Sequence, residues 1–150
     1  MANLKIGSHP SHDLEVAEKI TEAKQLTWND SGKLFFVEQG SGSYVVNLPK
    51  LSTEIAGWQG KFILTKLGDA VEINGYGITA ANTPATAEDL EKMFYVDFTH
   101  ATYEEDNTVD GVSFGASAAT LGCIIDIHTD GSNWFVMGHG DIANDIVKVG

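Results

Sequence analysis

Arginine is missing from the 150-residue chain, and only nine lysines stand against 21 acids, for a formal net charge of −12. Without the bidentate guanidinium fork, phosphate and base recognition fall to a few lysines acting against an acidic field. Binding of nucleic acid or of an anionic membrane through the general surface is thereby excluded. A single cysteine, Cys123, rules out an internal disulfide. Its neighbours Leu121, Gly122, Ile124 and Ile125 predict a buried strand with an inert thiol. No apolar run approaches the roughly 20 residues of a membrane span, and the N-terminal MANLKIGSHPSHD lacks the apolar stretch of a signal peptide. The expectation is a protein made in the cytoplasm that holds its core without metal or cross-link.

The charge that is present is unevenly placed. Residues 1–67 carry seven lysines and seven acids, whereas residues 68–150 carry two lysines and 14 acids. A solvated acidic face explains such a bias, and so does a molecule that turns its acidic side to solvent and its near-neutral side to a partner.

Residues 1–25 contain no aromatic residue, one glycine, Pro10 and the close histidines His9 and His12. They read as an arm. Leu14, Ala17, Ile20 and Ala23 recur every three residues, which fits either a short helix or an extended segment that orders on contact. From Leu26 onward the grammar is that of strands and turns. Lys33–Glu38 and Tyr44–Leu48, joined by Gly40-Ser41-Gly42-Ser43, predict a hairpin, and Gly57–Leu67 and Val71–Tyr76 predict further strands. AANTPATAEDLE breaks the pattern, with room for one helical turn near Ala87–Lys92. Met93–Phe98 resumes as a strand and Thr102–Asp110 reads as an acidic loop. Cys123–His128 and Trp134–Met137 flank Asp130-Gly131, the strongest hairpin signal, for which a type I′ turn is expected. Ile142–Val149 can supply a closing strand. The fold class is therefore all-β, a sandwich or partly closed barrel of about eight to ten short antiparallel strands preceded by an extended N-terminal arm. The domains are the arm at 1–25 and a β-rich domain at 26–150.

Motifs for chemistry are weak. Gly111-Val112-Ser113-Phe114-Gly115 matches the nucleophile-elbow pattern, but the following ASAATLGC is strand-like, where that motif requires a helix inside a large parallel sheet. His128 and His139 can face each other across the hairpin, with Asp126 and Asp141 near, yet a zinc site needs three or four converging ligands. Asp126–Gly131 opens like a calcium loop, but Met137 stands where the bidentate glutamate belongs. Glu104, Glu105, Asp106 and Asp110 form an acidic cluster whose default is solvation. Trp28, Trp58 and Trp134 fall on different segments and are expected in core or inter-subunit packing ahead of a carbohydrate platform. No catalytic, cofactor-binding or metal-binding residue is assigned, and no cofactor is expected.

Asn29-Asp30-Ser31-Gly32-Lys33 with Phe35-Phe36, Val45-Val46-Asn47-Leu48-Pro49, Gly57-Trp58 with Lys61-Phe62-Ile63, and Asp130-Gly131-Ser132-Asn133-Trp134-Phe135-Val136-Met137-Gly138 together carry a likeness over residues 26–140. The sequence resembles small virion proteins of tailed bacteriophages, of the capsid decoration or cement type and the head or tail fibre type. That resemblance implies a β-rich homo-oligomer, commonly a trimer, without enzymatic activity, sitting on the outer capsid surface of the virion with the major capsid protein as partner. It leaves open a fibre or spike domain that binds a host-surface receptor such as a glycan. In the decoration reading the arm extends contact beyond the globular footprint, with Leu4, Ile6, Leu14, Val16 and Ile20 as its apolar, partner-binding anchors.

Overall fold

The computed structural model describes residues 17–76, 78–79, 83–84, 93–97, 104–116, 119–140 and 145–149. In chain order the strands are β1 (Ala17–Ile20), β2 (Lys24–Gln25), β3 (Leu34–Glu38), β4 (Tyr44–Asn47), β5 (Gln59–Lys66), β6 (Val71–Asn74), β7 (Ile78–Thr79), β8 (Thr83–Pro84), β9 (Met93–Asp97), β10 (Glu104–Val109), β11 (Gly111–Phe114), β12 (Ile124–Thr129), β13 (Trp134–His139) and β14 (Ile146–Val149). Two single 3-10 turns, Trp28–Asp30 and Thr53–Ile55, are the only helical elements among the described residues.

Twelve of these strands build two sheets. The larger has the order β1-β3-β5-β12-β13-β9-β10 and the smaller β14-β11-β6-β4-β2, while β7 and β8 pair with each other. Alternation decides what fills the space between the sheets. From the larger sheet Phe35, Val37, Phe62, Leu64, Ile125, Ile127, Trp134, Val136 and Met93 are buried, and from the smaller sheet Val46, Val71, Ile73, Val112, Phe114 and Ile146. These side chains belong to one continuous cluster. Phe35 stacks on Phe62 with centroids 4.7 Å apart, and Trp58 meets Trp134 edge to face at 5.4 Å. The architecture is thus an all-β sandwich, with no closed barrel among the described residues.

Pairing is mixed where antiparallel strands were expected. β1 with β3, β3 with β5, β13 with β9, β2 with β4 and β4 with β6 all run parallel. The expected hairpin of Lys33–Glu38 with Tyr44–Leu48 is accordingly absent. β3 lies in the larger sheet and β4 in the smaller, so the glycine-serine link is a crossover. Gln39 holds that crossover: it is buried, its Nε2 donates to the carbonyls of Phe114 and Gly115 at 3.1 Å each, and its Oε1 accepts the Gly68 N–H at 2.9 Å. A side chain bonded to two other segments favours a change of sheet over a local turn.

The β12–β13 hairpin forms in the expected place, Ile124 opposite His139 through Thr129 opposite Trp134. Its connection is the four residues 130–133, among which Gly131 has a positive φ of 92°. The two-residue type I′ turn is replaced by this four-residue loop, held on Asp130, whose Oδ1 accepts the N–H groups of Ser132 and Asn133 at 2.8 Å each. Thr102–Asp110, expected as an acidic loop, contains β10, which pairs with β9. The tail does add a strand, β14, against β11.

The arm expected over residues 1–25 is built into the sandwich from Ala17 onward. β1 runs beside β3 with Ile20 opposite Val37, and Ile20 is only 2% exposed. The Glu18 carboxylate receives the ammonium groups of both Lys24 and Lys33, the latter at 2.9 Å, and Lys33 also reaches Asp30 Oδ1 at 2.7 Å. Ile20 is therefore a core residue and not a partner anchor, because burial beside Val37 leaves it nothing to offer outward. Leu4, Ile6, Leu14 and Val16 lie outside the described residues, as do His9, His12 and the helical turn near Ala87–Lys92.

Candidate interaction surface

The outward side of the larger sheet departs from the polar surface that alternation prescribes for a solvated sandwich face. Three rows of residues cross its central strands in register. Phe36, Ile63, Ile124 and His139 form one row across β3, β5, β12 and β13. Leu34, Lys61, Asp126 and Met137 form the next, and Gln59, His128 and Phe135 the third. Six of these eleven positions are large apolar side chains, all half-buried or exposed, with Phe135 41% and Met137 36% open to solvent. An apolar patch this continuous marks a contact surface more often than a solvated face.

Within the patch lies an open groove of about 510 Å³, lined by Lys33, Leu34, Lys61, Asp126, His128 and Met137 among others. Lys61 Nζ stands 3.5 Å from Asp126 Oδ1, so the two charges neutralise each other laterally at the groove. Lys19 and Glu38 pair in the same manner at 2.7 Å. An ion pair, an imidazole, an amide and apolar side chains suit contact.

The sequence signal for this face is present, although the alternation argument passes over it. Leu34-Phe35-Phe36-Val37, Phe62-Ile63-Leu64 and Ile124-Ile125 place apolar residues on both faces of three adjacent strands. Near-continuous apolar runs of this kind belong to strands covered on both sides.

Topology also gives the charge bias a direction. The strands β1, β2, β3, β4 and β5, which occupy one side of each sheet, hold four lysines and two acids. The strands β9, β10, β11 and β14, toward the opposite edges, hold four acids and one lysine. Tyr44 ties the near-neutral side together across the sandwich: its hydroxyl donates to the Glu38 carbonyl at 2.8 Å and stands 3.1 Å from the Ile20 carbonyl. Burial, and after it the negative charge of Glu38, pushes the Tyr44 phenol up to about 12.

At the edge of this side the Trp28–Asp30 turn projects. Asp30 Oδ2 accepts the N–H of Thr27 at 2.8 Å and its hydroxyl at 3.0 Å. Burial by itself would raise the Asp30 carboxyl, yet the hydrogen bonds from Lys33 and Thr27 outweigh it and hold the group below its ordinary value. Trp28 itself is 68% exposed. The core thus accounts for Trp58 and Trp134 but not for Trp28.

The remaining sequence candidates are dispersed or absorbed. Ser113 is buried in β11, between β6 and β14, and donates to the Phe114 carbonyl at 3.1 Å. No helix follows it among the described residues. His128 pairs in register with Phe135, and His139 with Ile124, so the two histidines stand at opposite ends of the hairpin and do not face each other. Among the described residues no group of three histidine, cysteine, aspartate or glutamate side chains converges as a metal site. Cys123 is a buried core thiol, as expected. No described helix is long and apolar enough to cross a membrane. No family model, curated protein or solved structure matches the chain.

Proposed function

We propose that this chain is a structural protein of a tailed-phage virion, a capsid decoration or cement protein that binds the outside of the head as a symmetric homo-oligomer, a trimer being the form the family resemblance implies. The observation that carries the reading is the polarity of the sandwich. One side holds β1 to β5 at near-neutral charge, with an exposed tryptophan, and the acidic strands lie toward the other. A protein of this kind works through interface area. Its near-neutral side meets the major capsid protein, its acidic side points away, and several modest contacts on one particle combine into strong retention. Residues 1–16, with Leu4, Ile6, Leu14 and Val16, extend the contact in this proposal. The acidic balance and the lack of arginine speak against the packaged genome as a partner.

Electron cryo-microscopy of heads with and without the chain tests this. Extra density on the outer shell is the expected result. Density confined to the tail would instead support the second reading, a fibre or spike domain with a receptor such as a glycan, for which Trp28 is the specific observation. Replacing Trp28 by alanine separates the two: it abolishes glycan binding in the second reading and leaves head decoration reduced but present in the first.

A further inference from the structure

The groups on the outer face of the larger sheet point to a specific occupant. We propose that this face, centred on Ile63, Ile124, Phe135 and Met137, turns toward a rotation axis and packs against the same face of a second copy of this chain. The inference rests on the oligomeric part of the reading above and supplies the surface that it lacks.

Charge is the first reason. A chain of net charge −12 repels its own copies over most of its surface. The central outer face is different, because Lys61 and Asp126 face each other in register on β5 and β12, and Lys19 and Glu38 pair beside them. The patch is locally neutral and carries both signs side by side. A copy related by rotation can then set its Asp126 against the neighbour's Lys61 and its Lys61 against the neighbour's Asp126, a self-complementary arrangement. Any partner whose surface is strongly of one sign finds no match there.

Extent is the second reason. The five strands β1, β3, β5, β12 and β13, about 4.8 Å apart with five to six residues rising about 3.4 Å each, make the locally neutral part of the face roughly 19 by 18 Å. Two copies then cover on the order of 700 Å² between them, the scale of a weak, concentration-dependent association. The pattern of the strands is the third reason. The β3–β5 pair at the centre of the face is parallel, and its apolar runs are those of a sheet covered on both sides. Packing a second sheet on that side would make the larger sheet the middle layer of the assembly.

Sedimentation velocity of the full chain across the micromolar range reads the outcome. The wild type should run as a dimer, the closed form that a self-complementary face produces. Phe135→Lys and Met137→Lys, at two positions already open to solvent, should each weaken association about tenfold or more while circular dichroism stays that of the wild type. Val147→Lys, on β14 of the other sheet, should have no effect. Lys61→Glu and Asp126→Lys should each dissociate when alone and reassociate when mixed with each other. Mixing cannot repair a defect confined to one chain, so rescue places the charge pair across the interface. A monomeric wild type would overturn the proposal, as would an oligomer indifferent to both lysine substitutions or a charge-swapped pair that fails to recover on mixing. Head decoration by a wild type that is monomeric would overturn this inference and leave the decoration reading standing.

Discussion

At the scale of single residues the described structure places its ionisable groups where they hold the near-neutral side together. Asp30 is depressed in the folded state, so it is charged and stabilising above its unfolded value, and its contribution is lost as pH falls through the lower folded value. Asp30→Ala removes the acceptor of Thr27 and Lys33 and should cost about 1–2 kcal/mol at neutral pH, read by urea denaturation. The difference between variant and wild type should shrink in acid. Tyr44 behaves in the opposite sense. Its phenol is raised from an ordinary 10.0 to about 12, so its contribution is intact below pH 10 and disappears as pH rises toward the folded value. Tyr44→Phe should lower stability by about 1 kcal/mol at neutral pH and remove that share of the alkaline loss, as followed by tryptophan fluorescence across an alkaline titration.

At the scale of elements, legibility in the sequence follows the range of the interactions that fix each strand. The β12–β13 hairpin is readable because Asp130-Gly131 and the flanking alternation act over a few residues, and the core positions Ile125, Ile127, Trp134 and Val136 follow from that pattern. The separation of β3 from β4 is not readable, because it is held by Gln39 bonding to Phe114 and Gly115, 75 and 76 positions away. The same holds for β1, whose place depends on Val37, Lys33 and Asp30. Gln39→Ala leaves those buried carbonyls and the Gly68 N–H without their partner and should cost about 2–3 kcal/mol in a thermal or urea melt. Truncation provides a second check. Removing residues 1–25 takes away β1, β2 and the burial of Ile20, and should destabilise the sandwich by about 3–5 kcal/mol. Removing residues 1–16 leaves both strands and should cost less than that, and in the proposed function it reduces retention on a capsid shell. Equal stability of the two truncations would contradict the assignment of Ile20 to the core.

At the scale of the whole molecule, the net charge of −12 is a sum over two unlike sides. The sequence bias at residue 67 becomes spatial because the early strands occupy one side of both sheets and β9, β10, β11 and β14 lie toward the other edges. The apolar outer face was hidden from an alternation reading for a related reason. Alternation assumes that one face of each strand meets water, and β3, β5 and β12 each carry apolar residues on both faces. That same surplus distinguishes a protein built to be covered from one built to be solvated. The polarity is the central claim, and covalent footprinting of the chain free and bound to the proposed capsid shell tests it most directly. Lys24 on the near-neutral edge should lose reactivity toward an amine reagent on binding, while the carboxylate of Asp110, where β10 meets β11, stays as reactive as in the free chain. Protection of Asp110 with Lys24 left open would contradict it.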